Sequence, residues 1–400
     1  MRVLLWVSTL QADILALALA LDRHPGTELL IAADGLAEWR REPIARVRPL
    51  RAAMLEREDR GTRAAAEAFG ADVVVCDNHF PEFAAAPRLC FLWHGLGWKA
   101  TPPRDVEERL RHIARLTGQD PRRPASRFVA QCYHDRDRDW RVRSWGVAPE
   151  NCAVVGSCFS DLLLVPPYRR EELAPAYRID VARRKTLLLN FTWHYGRVFP
   201  GSWQPSLLGR SPMEADLAFL RSLFARAADH DANVLFCLHD RWRYETAYLA
   251  ALHREAAGFP HVELKHKNER PDNLADLVVA DAMLSNLSSF VTFFYHTGRP
   301  SIHLCPPAGK PVRFSRLGRF GLRARAAEAA PAWMNAPDDN GGLTVFDAAG
   351  ALAAVDRAFA EPGCCAERSR EWLAAHIHAA DGKTSDRMVQ VIEALAGRLP

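Results

Sequence analysis

The stretch Phe91–Ala100, FLWHGLGWKA, joins an apolar run to a turn with two glycines. The run Leu89–Trp93 is apolar throughout, which is typical of a strand in a parallel sheet that is covered on both faces. It ends at His94, and Gly95 and Gly97 then permit a tight turn. Ligands of such sheets bind beyond the carboxyl ends of the strands, so His94 stands where a binding or catalytic side chain is expected. A hydrogen-bonded structural histidine would fit the same position.

Apolar runs of this kind alternate with helical segments along the whole chain. The predicted strands are Val3–Val7, Glu28–Ala33, Ala71–Cys76, Leu89–Trp93, Arg127–Gln131, Cys152–Val155, Thr186–Phe191, Asn233–Leu238, His261–Leu264 and Ser301–Leu304. The predicted helices include Asp13–Leu21, Arg51–Phe69, Glu214–His230, Val355–Phe359, Glu371–His378 and Ser385–Leu395. Leu277–Ala280 and Ala282–Leu284 are two further apolar runs that flank an aspartate. Alternation of strands and helices predicts an α/β fold with doubly wound parallel sheets.

The length of 400 residues exceeds what one hydrophobic core usually supports, so two domains are expected. Residues 166–184 are rich in proline and charge, and we predict that they form a linker. This places an N-terminal domain at residues 1–165 and a second domain at 185–365. Helices predicted within residues 366–400 would pack back across the cleft between the two domains.

Composition excludes several classes of function. The net charge of +4 is not concentrated in lysine and arginine blocks, so a nucleic-acid partner is not expected. The nine cysteines lack paired CxxC spacing, which indicates free thiols in a reducing compartment. Gln11 and Asp13 interrupt the apolar start, and no run approaches the roughly 18 apolar residues of a membrane span. We predict a cytoplasmic protein, and peripheral contact with a membrane is compatible with this sequence.

Further candidate side chains follow later strands or precede helices. His239 ends the run Asn233–Leu238 with Arg241 close behind, and a histidine beside cations suits an anionic ligand such as phosphate. The alternative is a histidine at a turn beside an exposed Asp240–Arg241 ion pair. Asn286–Ser289, NLSS, precedes a predicted helix, where hydroxyl and backbone N–H groups cradle phosphate. A simple N-cap is the alternative there.

The remaining polar motifs favour structural interpretations. Asp381–Arg387 precedes the last helix, where Arg387 could face an anion, although a capped surface helix explains it as well. His134–Asp139, HDRDRD, lacks the glycine and distal glutamate of a calcium loop and is typical of a mixed-charge helix start. His376 and His378 would not face one another on a helix. We therefore expect no metal site and no required cofactor, and neither a Walker motif nor GxGxxG occurs.

Taken in chain order, these segments resemble the CDP-glycerol glycerophosphotransferase family, which contains the teichoic-acid primases and polymerases. Trp93, His94, Gly95 and Lys99 resemble the Trp-His-Gly segment of that family and its following lysine. The later positions that match family elements are Gly156 and Asp161, Thr192 and Trp193, His239, Ser288 and Ser289, Arg299 and Pro300, and Asp381, Gly382, Ser385 and Arg387. The chain departs from the family at Asp240, where proline is usual, and at Asn286-Leu287, where Asp-Tyr is usual.

The resemblance implies a GT-B-type fold of two Rossmann-like domains that face a cleft, the first on the acceptor side and the second holding the nucleotide donor. It implies transfer of a glycerol-phosphate-like group from a CDP-activated donor to a hydroxyl of a cell-envelope glycan or lipid-linked acceptor, with release of CMP. His94 and His239 would be catalytic. The donor-binding residues would be Thr192, Arg241, Asn286, Ser288, Ser289, Lys99 and Arg387. The acceptor-side residues would be Gly95, Gly97, Trp98 and Asp161.

Two other functions stay open from the sequence. One is a GT-B glycosyltransferase that uses a CMP- or UDP-linked sugar in capsule or lipopolysaccharide assembly. The other is a catalytically inactive module of the same fold that binds a glycan or a partner.

Overall fold

A computed structural model describes the chain except residues 94, 97, 99–100, 102, 192–206, 209–212, 287, 306–311, 318–320, 327–333, 337 and 398–400. For residues 312–317 and 321–326 it describes the backbone.

The first part of the chain forms a parallel sheet of seven strands. Its strands are β1 (Arg2–Trp6), β2 (Glu28–Ala33), β3 (Ala53–Glu56), β4 (Val73–Cys76), β5 (Leu89–Phe91), β6 (Phe128–Cys132) and β7 (Cys152–Val154), in the order β3-β2-β1-β4-β5-β6-β7. Its helices are α1 (Ala12–Arg23), α2 (Leu36–Trp39), α3 (Pro43–Val47), α4 (Thr62–Phe69), α5 (Pro103–Thr117), α6 (Asp135–Trp145), α7 (Phe159–Leu164) and α8 (Arg170–Leu173). Alternate residues of β1 belong to two different cores, since Val3 and Leu5 pack into one and Leu4 into the other. Burial on both faces explains why these strands are apolar throughout.

A second parallel sheet of six strands follows. Its strands are β8 (Thr186–Asn190), β9 (Asn233–Leu238), β10 (Val262–His266), β11 (Ala282–Ser285), β12 (Ser301–Leu304) and β15 (Leu343–Val345), in the order β10-β9-β8-β11-β12-β15. Strands β13 (Val312–Leu317) and β14 (Gly321–Ala326) form a separate antiparallel hairpin. The remaining helices are α9 (Met213–Asp229), α10 (Thr246–Ala257), α11 (Asn273–Val279), α12 (Phe290–Phe294), α13 (Ala348–Ala360), α14 (Ala366–His376) and α15 (Thr384–Ala396). The predicted α/β fold with doubly wound parallel sheets is confirmed.

The structure corrects one of the predicted elements. The predicted helix Arg51–Phe69 is wrong at its start, because residues 53–56 form strand β3 and the helix begins at Thr62. Strand β3 pairs with β2 alone and is only half-buried, so it lacks the continuous apolar run of a central strand. The apolar run Leu277–Ala280, for which no element was predicted, lies at the end of α11.

The strand order of each sheet reverses at one point, where a crevice for ligands is expected beyond the carboxyl ends of the strands. In the first sheet the reversal lies between β1 and β4, and in the second between β8 and β11. At the end of the chain, α15 returns to the first sheet and packs on α1 and α7, burying Met388 and Ile392 with Leu17 in the same core. The two sheets are therefore connected twice by the chain.

Within the described residues, every helix is too short or too polar to cross a membrane.

Candidate active site

The turn after β5 meets the start of α12, so the strand ends of the two sheets come into contact. Gly95 has φ +131°, and a Cβ at this position would lie 3.0 Å from Ser289 Oγ and 3.1 Å from Ser289 Cβ. Glycine is required for both reasons, since the backbone conformation is strained for other residues and the space is already filled. His94 immediately precedes this contact in the sequence and lies outside the described residues, as do Gly97, Lys99 and Thr192.

A buried chain of hydrogen bonds holds this turn in place. The Gly95 N–H donates to Tyr133 Oη over 2.9 Å, and the Tyr133 hydroxyl donates to Asp13 Oδ2 over 2.6 Å. Asp13 Oδ1 accepts from Ser157 Oγ at 2.8 Å and from the Phe159 N–H at 3.0 Å. Burial raises the pKa of Asp13, and the hydrogen bonds from Tyr133 and its neighbours oppose that rise. This network was not predicted from the sequence. The one signal for it was Asp13, a lone aspartate inside the apolar start of the chain.

Trp98 extends the contact between the sheets. Its indole N–H donates to the Ser288 carbonyl oxygen over 3.3 Å, and its own carbonyl oxygen accepts from the Met334 N–H at 2.9 Å. The residue is buried, and its ring lies against Trp372 with centroids 6.0 Å apart. Trp98 therefore packs between the turn after β5 and the second sheet.

The predicted donor-side serine and asparagine residues lie at the reversal between β8 and β11. The Ser288 hydroxyl donates to Asn190 Oδ1 over 2.8 Å, and the Ser285 hydroxyl donates to the Asn190 carbonyl oxygen over 2.6 Å. Asn286 is half-buried directly after β11. Asn190 is the last residue of β8 and was not among the predicted site residues. The strand-end rule identifies it once β8 is known to neighbour β11.

His239 and Arg241 lie at the carboxyl end of β9. The His239 N–H donates to Tyr244 Oη over 3.0 Å, and the His239 carbonyl oxygen lies 3.1 Å from His266 Nδ1. The Arg241 guanidinium is half-exposed and already paired with Glu269, with Nε 2.7 Å from Oε1. This pairing reduces the charge that Arg241 offers to an anionic ligand.

Lys267 is a cation of the cleft that sequence reasoning missed. It follows β10 directly, and the predicted strand His261–Leu264 ended two residues too early to mark it. Burial lowers the pKa of its ammonium group, while the carboxylates of Asp240 and Asp77 oppose that shift. Asp77 follows a strand of the other sheet, so the charge of Lys267 interacts with carboxylates from both sheets.

Asp77 follows β4, at the reversal of the first sheet. Its Oδ2 accepts from the Ser8 hydroxyl at 2.5 Å and from the Ser8 N–H at 3.0 Å, and its Oδ1 lies 3.1 Å from His79 Nδ1. Burial acts to raise the pKa of Asp77, but the hydrogen bonds from His79 and Ser8 outweigh it and lower the pKa to about 2. Asp77 is therefore a carboxylate at neutral pH and contributes negative charge beside Lys267.

Two predicted residues join α7 to α15. The Asp161 carboxylate accepts from the Thr384 and Ser385 N–H groups at 3.1 and 2.7 Å, which caps the amino end of α15. The Arg387 guanidinium donates to Asp381 over 2.9 Å and to the Thr384 hydroxyl over 2.9 Å. Both side chains are thus engaged in holding the C-terminal helix on the first sheet.

No cluster of three or more histidine, cysteine, aspartate or glutamate side chains that could hold a metal ion occurs among the residues that the structure describes. What the described arrangement offers is a polar edge of hydroxyl, amide and ammonium groups. Ser289 at this edge lies against Gly95, the residue that follows His94 in the sequence.

The fold is similar to those of several solved structures. The wall teichoic acid polymerase TagF, in a variant with one histidine replaced by asparagine, matches with a TM-score of 0.66 at 11% identity, over 99% of this chain and 88% of that one. The same variant soaked for 30 minutes with CDPG matches with a TM-score of 0.66 at 12% identity, over 99% and 88% of the two chains. The UDP-GlcNAc 2-epimerase of Neisseria meningitidis bound to UDP-GlcNAc matches with a TM-score of 0.58 at 12% identity, over 98% and 100%.

No protein-family model matches the chain, and no curated protein matches its sequence. At these identities the structural similarities establish the fold. The GT-B-type architecture of two Rossmann-like domains is confirmed, and the resemblance of the sequence to the teichoic-acid polymerases is matched by a shared fold.

Proposed function

We propose that this chain is a GT-B-type transferase that moves a polyol-phosphate group, such as glycerol phosphate, from a CDP-activated donor to a hydroxyl of a cell-envelope glycan or lipid-linked acceptor. The observation that carries the proposal is the contact between Gly95 and Ser289. It brings Gly95, which follows His94 in the sequence, against the polar edge of the second sheet. A donor held at that edge would therefore present its phosphates to the turn.

In the proposed reaction the acceptor hydroxyl oxygen attacks the β-phosphorus of the donor. A new P–O bond forms, and the bond to the bridging oxygen breaks so that CMP leaves with that electron pair. His94 would take the proton of the attacking hydroxyl, because imidazole titrates near neutral pH. His239, Ser288 and Asn190 would position the donor, and Lys267 would neutralise part of its charge.

The location proposed for this reaction is the cytoplasm, where a lipid-linked acceptor would bring the protein to the inner face of the membrane. Neither a metal nor another cofactor enters the proposed steps, which depend on positioning and electrostatics.

The test is a release assay in which the protein is incubated with CDP-glycerol, CDP-ribitol, CMP-sugars and UDP-sugars, and the nucleotide products are separated by chromatography. We expect acceptor-dependent release of CMP from a CDP-polyol. His94→Ala should lower that rate about 100-fold or more while the protein stays folded. Ser288→Ala should lower it as well, whereas Ser222→Ala, on the exposed face of α9, should leave it unchanged.

A second candidate is a glycosyltransferase that uses a nucleotide sugar, which the fold shared with an epimerase bound to UDP-GlcNAc favours. The same polar edge would hold the nucleotide, but the acceptor would attack an anomeric carbon. Release of UDP, or of CMP from a CMP-sugar alone, would support this candidate against the first. Ligand-induced thermal stabilisation without release of any nucleotide would point to an inactive binding module instead.

A further inference from the structure

A cavity of about 380 Å³ opens beside the turn after β5. Helix α6 of the first sheet forms one wall, and residues 334–336 and 339 together with the end of α14 form the other. Leu96, two residues after His94, lines it as well. The cavity therefore lies next to the proposed catalytic turn and on the side of the first sheet.

A second, smaller cavity, which shares Leu96, Asp137, Trp140 and Met334 with the first, holds a cluster of indole rings around a buried guanidinium. Trp93, Trp140 and Trp145 line it together with Arg141, which is 3% exposed. Arg141 Nε donates to Asp137 Oδ1 over 3.2 Å. Its Nη1 is buried and has no hydrogen-bond partner among the described residues. Leaving such a donor unpaired costs on the order of 1–3 kcal/mol or more, so an oxygen atom from a ligand would be stabilised there.

The rest of the lining carries both signs of charge. Two arginines and three aspartates line the larger cavity, namely Arg136 and Arg143 and Asp137, Asp139 and Asp339, and Arg141 lines the smaller one. Because positive and negative groups are both present, the lining attracts an anion only weakly, and it supplies hydrogen-bond donors and acceptors together. A hydroxyl group uses both. Indole faces beside such groups match a sugar ring, which presents apolar C–H faces and a polar edge of hydroxyls.

We propose that this cavity binds a neutral pyranose ring of the acceptor. One C–H face of the sugar would lie on the half-buried indole of Trp140, which both cavities share. A hydroxyl of the sugar would enter the smaller cavity, and its oxygen would accept a hydrogen bond from Arg141 Nη1. This inference rests on the proposed transferase function and adds to it the chemical class of the acceptor. An acceptor whose sugar occupies the cavity would have its neighbouring hydroxyl beside the turn that carries His94.

The experiment is saturation-transfer NMR on the full chain with methyl β-glucopyranoside, methyl α-mannopyranoside and methyl N-acetyl-β-glucosaminide, and with inorganic phosphate as the anionic comparison. We expect saturation transfer to at least one pyranoside. Adding phosphate should not reduce that signal. Trp140→Leu should weaken the binding of that pyranoside about tenfold, which is about 1.4 kcal/mol. Trp242→Leu removes an exposed indole outside the cavity and should leave the binding unchanged.

Arg143→Gln provides a second variant, because Arg143 is exposed at the cavity rim and its replacement does not disturb a core. We expect it to weaken binding severalfold even if Trp140→Leu fails to fold. Binding of no pyranoside, unchanged binding in both variants, or displacement of the sugar by phosphate would each overturn the inference.

These outcomes are separate from those of the release assay. Binding is measured without donor and without turnover, so a pyranoside that binds through Trp140 supports the cavity assignment even when no CMP is released. Conversely, the protein could release CMP with an acceptor KM that neither Trp140→Leu nor Arg143→Gln changes. That result would support the transferase function and contradict binding of the sugar in this cavity.

Discussion

Glu42 lies where the two sheets meet, in a buried cluster that holds more carboxylates than cations. It is 5% exposed and precedes α3. The junction is close there, since the Ile44 N–H donates to Asp272 Oδ2 of the second sheet over 3.2 Å. Lys265 Nζ lies 2.6 Å from Asp276 Oδ2, so its charge is already balanced by another carboxylate. An ionised Glu42 would add negative charge to this cluster.

Burial raises the pKa of Glu42 from its ordinary value of 4.5 to about 7, with Lys265 opposing the rise and Asp272 adding to it. A carboxyl group whose pKa is higher in the folded protein stabilises the fold fully below the unfolded pKa. This stabilisation is lost as the pH rises from about 4.5 through about 7. A shift of this size corresponds to about 3 kcal/mol in the free energy of unfolding.

Glu42→Gln removes this titration and keeps a side chain of nearly the same size. We expect the variant to match the wild-type stability near pH 4.5 and to exceed it at pH 8, by at most about 3 kcal/mol. Urea unfolding followed by far-UV circular dichroism at pH 4.5, 6 and 8 measures the difference. Glu108→Gln, on the exposed face of α5, is the matched control and should give the same small difference at every pH.

The reasoning is refuted if Glu42→Gln is no more stable than the wild type at pH 8. It is also refuted if the difference between the two proteins is the same at pH 4.5 and pH 8, because burial of a charge then has no part in it.

Three further substitutions test the contact between the sheets at Gly95, the buried hydrogen bonds of Tyr133 and the cap of α15. Gly95→Ala should lower the free energy of unfolding by about 1–3 kcal/mol, since φ is positive at Gly95 and Ser289 fills the space. Gly363→Ala is the control: it has open space around it and should change the free energy of unfolding little in the same urea titration. Tyr133→Phe should cost about 1–3 kcal/mol and lower transferase activity, because it removes the partner of the buried Gly95 N–H and one of the donors to the buried Asp13 carboxylate. Equal stability to wild type would contradict the network. Asp161→Ala should cost about 1 kcal/mol and speed hydrogen exchange in the first turn of α15, and unchanged exchange there would contradict the cap.

Local pattern predicted the central strands well but missed two of the four edge strands of the parallel sheets. Runs such as Val3–Val7 and Asn233–Leu238 are apolar throughout because their strands are buried on both faces, and this signal is complete within a few residues. Edge strands β3 and β15 have one neighbour each and less buried faces, so the pattern in residues 53–56 was read as helix and Leu343–Val345 was not predicted.

The residues of the candidate site also divide into those that the sequence identifies and those that it does not. The strand-end rule pointed to the turn after β5 and to Asn286–Ser289, which the structure brings together through Gly95 and Ser289. It did not identify Asn190 or Lys267, since their importance depends on which strands are neighbours and on where β10 ends.

By itself the sequence determined the alternation of buried strands and helices, and with it the class of fold, because burial on both faces of a strand dictates residue type at each position. Only the tertiary structure decided the partners of the polar side chains. Tyr133 bonds to Asp13 across 120 residues, and Asp161 caps a helix more than 220 residues away. Such hydrogen bonds leave no periodic trace in the chain, because the packing of distant layers selects their partners.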